Sequence, residues 1–237
     1  SIIILLFGYS CKSKQTDEVK EPPPIVSTEY RYPSLSLPAK YHLSSIAVED
    51  ISASYTGYYL QSNLMDKKKF NEMSLQFVIK QIKKEQSFIG FEEGTSEHSY
   101  TIRPTEVYTN GKIISVSNII DTYTAGGNHH NYVRCSFNYD FMNNRIIELK
   151  DVFEIRNNKD MVKFINYVEK HTTGCSGWGE SDKTLDFSFE KGGININPDL
   201  SWACTSTRAW IPINPKTKFI KIRWLKTRGL FGINSNF

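Results

Sequence analysis

Apolar and polar positions alternate with a period of two along most of this chain, and the period shifts towards 3.6 in only a few stretches. Residues 41–48 and 51–60 carry alternating apolar and small polar residues, the pattern of strands with one buried face. The period then changes. Phe70, Met73, Phe77, Val78 and Ile82 recur at spacings of three and four, which predicts an amphipathic helix over about residues 65–85. Lys67, Lys68, Lys69, Lys80, Lys83 and Lys84 occupy its ends and solvent side. Past a polar loop at 92–98, period two returns in residues 100–108 and 112–122. These join through Asn110-Gly111, a pair that supplies the positive φ angles of a two-residue hairpin. Residues 131–142 and 145–149 follow around an Asn143-Asn144 turn, so three antiparallel strands in succession are expected.

A short helix is predicted to start near Leu149 or Lys150 and to cover Val152 and Phe153. A second, over about 159–171, has Met161, Phe164, Ile165 and Val168 on one side, Asn157 or Asn158 as its N-cap and Gly174 at its stop. Leu185, Phe187 and Phe189 alternate again, Gly192-Gly193 turns the chain, and Ile194 and Ile196 continue it. Residues 209–213 and 219–225 read as closing strands. The order predicts an α+β domain, a mainly antiparallel sheet packed with about three α-helices. No internal repeat is present.

Composition changes this picture mostly at the N-terminus of the 237-residue chain. Residues 2–7 are all apolar, and Gly8-Tyr9-Ser10-Cys11 then gives way to a polar run. A membrane-spanning helix needs about 20 apolar residues, so the pattern reads as the end of a secretory signal peptide with a lipobox. Cys11 is then the lipid anchor and the first residue of the mature protein. Residues 12–38, with Pro22, Pro23 and Pro24 and few large aliphatic side chains, read as a disordered tether. The folded domain is placed at 39–237. The expected location is the cell envelope, anchored to the membrane through lipid. Lys12 and Lys14 after Cys11 favour the periplasmic side, while Asp17 and Glu18 keep surface exposure open.

The formal charge of +4 is modest, but Lys216, Lys218, Lys221, Arg223, Lys226 and Arg228 concentrate part of it near the C-terminus. They form either a solvated strand face or a contact for an anionic envelope polymer. Nothing resembles the aromatic-interleaved basic motifs of nucleic-acid readers, and no nucleic-acid partner is expected. Of the four cysteines, Cys135 falls on the apolar side of a strand and is expected to be a buried thiol. Cys175 and Cys204 lie in loop-like sequence, and an oxidising compartment predicts a disulfide between them that contributes about 3–4 kcal/mol.

Catalytic patterns are sparse. The adjacent His129 and His130 point to opposite sides of an extended chain, and His42, His98 and His171 are scattered. No metal spacing is present, and neither a metal nor another cofactor is expected. Ser176 lacks the spacing of a nucleophile elbow, and Glu92-Glu93 or Asp182 with Asp186 have no evident cleft between them. The four tryptophans, Trp178, Trp202, Trp210 and Trp224, all fall in the last quarter. Trp178 and Trp202 flank the expected disulfide and either pack on it or offer an apolar platform to a sugar ring or a protein.

A hairpin E-V-Y-T-N-G-K-I-I-S-V, a turn Y-T-A-G-G-N-H, a strand ending F-N-Y-D and the run L-K-D-V-F follow one another between Glu106 and Phe153. This order resembles the extracytoplasmic domain shared by the anti-sigma factor RsiV and the N-terminal part of the peptidoglycan deacetylase PdaC. The resemblance rests on Tyr123, Gly126, Gly127, His129, Leu149, Asp151 and Phe153, and it extends over about 41–222. It implies an α+β module without catalytic residues of its own, which in RsiV senses lysozyme and in PdaC accompanies an enzyme acting on peptidoglycan. The expected ligand is accordingly a lysozyme-like protein or peptidoglycan glycan. Tyr123, Gly126, Gly127 and His129, with Trp178 and Trp202, are the candidate contacts.

Overall fold

In the computed structural model, which describes residues 35–49, 53–88, 98–126, 130–173, 185–197, 208–214 and 216–230, the strands form two separate sheets. The larger has six strands in chain order. β1 (Tyr41–Glu49) and β2 (Ala53–Ser62) pair antiparallel. A 3-10 turn at Met65–Lys67 leads into α1 (Lys68–Phe88), and β3 (His98–Thr109) then returns parallel to β2, with Ala53 opposite His98 and Gly57 opposite Ile102. β4 (Ile113–Thr124), β5 (Asn131–Asp140) and the short β6 (Arg145–Ile146) complete it antiparallel. The α+β class and the predominantly antiparallel sheet are thus as the periodicity predicts.

α1 lies on one face. Its Phe70, Val78 and Ile82 are buried, and Phe70 contacts the rings of Phe137, Tyr139 and Tyr41 at centroid distances of 5.5–5.9 Å. Burying each such side chain contributes about 1.5–3 kcal/mol. The helix approaches β2 closely because Gly57 has no side chain: a Cβ there would stand 2.3 Å from Val78 Cγ1. Leu35 and Leu37 also pack on this cluster.

Beyond β6 come α2 (Leu149–Val152), α3 (Asn158–Glu169) and the four-stranded sheet, in the order β7 (Thr172–Thr173), β10 (Arg208–Pro212), β9 (Gly193–Asn197) and β8 (Asp186–Glu190). Phe187, Phe189, Ile194, Ile196, Ala209 and Ile211 join Phe164 and Val168 of α3 in one core. α3 starts as expected, with the Asn157 side chain accepting from Asp160 N at 3.0 Å.

Two expectations change. Residues 219–225 do not form a strand: Phe219 takes a left-handed backbone (φ 68), Ile220 makes a single bridge to Phe153, and α4 (Ile222–Arg228) follows. The alternating Ile220, Ile222 and Trp224 imitate period two, but Gly229 (φ 65) closes a helix, its N–H donating to carbonyls of the last turn. The Asn110-Gly111 hairpin is present with a wider turn in which Gly111 alone has positive φ. Asn110 Oδ1 instead accepts from Lys112 N and Ile113 N, both at 3.0 Å. The Cys135 sulfur lies inside, as expected of a buried thiol, and burial pushes the thiol well up, while the residue as a whole is half-buried.

β8 is an edge strand, and it meets the large sheet through polar contacts. Phe189 N donates to Ser115 Oγ at 2.9 Å, Ser115 Oγ donates to Asn138 Oδ1 at 2.6 Å, and Asn138 Nδ2 donates to Phe187 O at 2.6 Å. Asp186 accepts from Ser136 N and Oγ at 2.8 and 2.6 Å. The buried backbone of the edge is satisfied by side chains rather than by another strand.

Candidate functional site

The turn between β4 and β5 gathers a stack of rings. Because side chains alternate along a strand, Asp121 and Tyr123 of β4 share a face with Tyr132 of β5, which stands opposite Asp121. His130, just before β5, lies between the two tyrosines: its ring centroid is 4.9 Å from that of Tyr123 and 6.0 Å from that of Tyr132, with interplanar angles of 28° and 14°. His130 Nδ1 donates to Asp121 Oδ1 at 2.7 Å. That bond fixes the imidazole plane, leaving its side chain 48 % exposed. On the same face, the next rows place Thr101 beside Asp121, and Ile119 between Arg103 and Arg134. The ensemble offers ring edges, a carboxylate and guanidinium groups at half-exposed positions, suited to stacking and hydrogen bonding.

Gly126 takes φ +89, the left-handed conformation that the turn needs and that costs glycine least. Of the other expected site residues, Gly127, His129, Trp178 and Trp202 lie outside the described residues, as do the anchor Cys11 and the pair Cys175 and Cys204. Tyr123 and Gly126 are therefore the expected contacts that the structure brings together. Asp121, His130 and Tyr132 are the members that sequence reading passed over. Their signal was the period-two register on either side of the turn, which puts 121, 123, 130 and 132 on one face.

The opposite face holds a second polar group where α1 ends. His98 Nδ1 lies 3.0 Å from Thr124 Oγ1, and His98 Nε2 lies 3.5 Å from Glu85 Oε1. Burial raises the Glu85 carboxyl, opposed by His98 and Lys84. Tyr100, 1 % exposed, has its hydroxyl buried beside this group without a hydrogen-bond partner. His42 instead contacts Gln61, and His171 contacts the Tyr167 carbonyl. Among the described residues, no three His, Cys, Asp or Glu side chains are placed to hold a metal ion. Among them too, no helix is long and apolar enough to cross a membrane.

The run Leu149 to Phe153 has a framework role. Asp151 Oδ2 accepts from Glu148 N at 2.9 Å, completing a capping box at α2, and both Asp151 oxygens take the Arg145 guanidinium, at 2.7 and 2.9 Å. Phe153 is fully buried, 4.6 Å from the ring of Phe164.

No protein-family model matches the sequence, and no curated protein matches it. Among solved structures, the chain is similar to a DUF3298 family protein from Pseudomonas aeruginosa PAO1, with a TM-score of 0.50 and 13% identity over 86% of this chain and 93% of that one. A second DUF3298 family member, from Bacteroides fragilis NCTC 9343, aligns with a TM-score of 0.42 and 18% identity over 73% of this chain and 90% of that one. The Pseudomonas protein, a member of the DUF3298 family, shows that the two share a fold.

Proposed function

We propose that this chain is a lipid-anchored, non-catalytic protein of the cell envelope that binds a wall-related ligand, either a lysozyme-like protein or a peptidoglycan glycan. The observation that carries the reading is the Tyr123, His130 and Tyr132 stack braced by Asp121. Half-exposed aromatic side chains, held rigid by neighbours, supply contact area at low conformational cost. The lipobox pattern at Cys11 and the resemblance to the RsiV and PdaC domain support the envelope setting and the ligand class.

The test is a titration of the protein against a C-type lysozyme, following binding and residual lysozyme activity together. Saturable binding is expected. Tyr132→Ala should weaken it at least tenfold, about 1.4 kcal/mol, while changing unfolding free energy by no more than about 0.5 kcal/mol. Absence of binding at high micromolar concentration removes the lysozyme reading. Glycan turnover that disappears in His129→Ala would replace binding with hydrolysis, and inertness towards both ligands would leave a structural lipoprotein of an envelope complex.

A further inference from the structure

The basic cluster near the C-terminus, read above as either a solvated strand face or a contact for an anionic polymer, belongs to a different surface once residues 222–228 are a helix. Beside α4, a groove of about 620 Å³ is lined by Ile220, Ile222 and Trp224 together with Lys221, Arg223 and Glu154. That volume lies within the range of small-molecule sites.

The walls are set by the local fold. Lys221 N donates to Val152 O and Glu154 N to Phe219 O, which ties the segment before α4 to the one after α2. Arg228 also lines the groove, but its guanidinium is committed: Nη2 and Nε donate to the buried Asp140 Oδ2 at 2.6 and 3.0 Å, and it lies 5.0 Å from the Trp224 ring. The indole also stacks on Phe189, with ring centroids 6.0 Å apart. Trp224 is therefore a fixed apolar wall rather than a mobile side chain. Lys221 Nζ donates to Lys150 O.

Arg223 differs from these. It is exposed and makes neither an ion pair nor a side-chain hydrogen bond with any described residue. Its donors stand at the rim of an apolar wall, and Glu154 is the one carboxylate among the described lining residues. A guanidinium of this kind matches a phosphate or carboxylate bidentately. Ile220 is already buried, but Ile222 and the indole are half-buried and gain from covering by an apolar body. An inorganic anion would collect only a solvent-screened attraction, and an uncharged amphiphile only the apolar part.

We propose that this groove binds a small amphiphilic anion, an alkyl or aryl body carrying one phosphate or carboxylate, with Arg223 as the anion contact. The test is a titration of the full chain with decyl phosphate below its micelle concentration, with inorganic phosphate and octyl glucoside as the charge-only and body-only probes. Decyl phosphate is expected to bind saturably at one site, at least tenfold more tightly than either control. Arg223→Gln should lower that affinity about tenfold at an unchanged melting temperature, and Lys218→Gln, outside the groove, should not lower it. Equal affinity for inorganic phosphate, an unaffected Arg223→Gln variant, or binding only to phosphatidylglycerol vesicles and not to monomeric decyl phosphate would each overturn the proposal.

Discussion

Towards α1, β5 presents Phe137 and Tyr139, while Ser136 and Asn138, their neighbours on the same strand, turn towards β8. The first interface is a cluster of rings around Phe70, with centroids 5.5–5.9 Å away. The second is a relay of hydrogen bonds through Ser115, Asn138 and Asp186. Apolar packing tolerates small shifts of one element over another, because dispersion and burial are non-directional. The polar seam fixes position instead, since a displaced β8 would strand its own N–H and C=O groups. One strand thus serves both purposes by alternation, with α1 contributing burial and β8 contributing register.

The largest change should come from the apolar side. Phe70→Ala removes a 1 % exposed ring from four aromatic neighbours and should cost about 3–5 kcal/mol, read as a fall in the urea midpoint at constant slope. A loss under about 1 kcal/mol would mean that α1 repacks freely.

Next is a pH effect confined to the seam. Burial pushes the Asp186 carboxyl up from 3.8 to about 6, against the lowering effect of bonds from Ser136 and Asn197. The folded protein therefore holds this proton more tightly than the unfolded chain. The Asp186 contribution to stability is full below about pH 4 and is lost as pH rises through about 6, a swing on the order of 3 kcal/mol. Asp186→Asn should flatten that part of a stability profile measured between pH 3.5 and about 7. A profile identical to that of the wild type would show that Asp186 is not the group responsible.

The smallest effect tests the edge directly. Asn138→Leu leaves Phe187 O without its donor and should cost about 1–3 kcal/mol. Amide hydrogen exchange should speed up at Phe189 while remaining slow in α1. Equal acceleration in both would make the two interfaces one cooperative unit.

Much of this was legible as periodicity. The Phe70 to Ile82 stripe identified α1, and Asn157 identified the cap of α3, because both signals are local. The β8 edge was not legible, since Ser115, Ser136 and Asn138 look like ordinary solvent-side residues until an element far along the chain covers them. Residues 219–225 misled for a local reason: Phe219 and Gly229 decide the backbone there, and the alternation of Ile220, Ile222 and Trp224 carries no trace of either. At the candidate site, Tyr123 and Gly126 were readable from the turn. His130 and Tyr132 carried only the period-two signal across the turn, which the pairing of Asp121 with Tyr132 turns into a shared face.

The parallel pairing of β2 with β3 has a kinetic consequence. The β1 and β2 hairpin and the β3 to β5 meander each rest on contacts close in sequence, so each can form early and separately. Their joining must wait until α1 has crossed from one to the other, because no tight turn can close a parallel ladder. Gly57, where Val78 descends onto the sheet, lies within that ladder. Gly57→Ala is therefore expected to slow the joining step and to leave the earlier phase unchanged in stopped-flow circular dichroism, with equal slowing of both phases counting against this order of events.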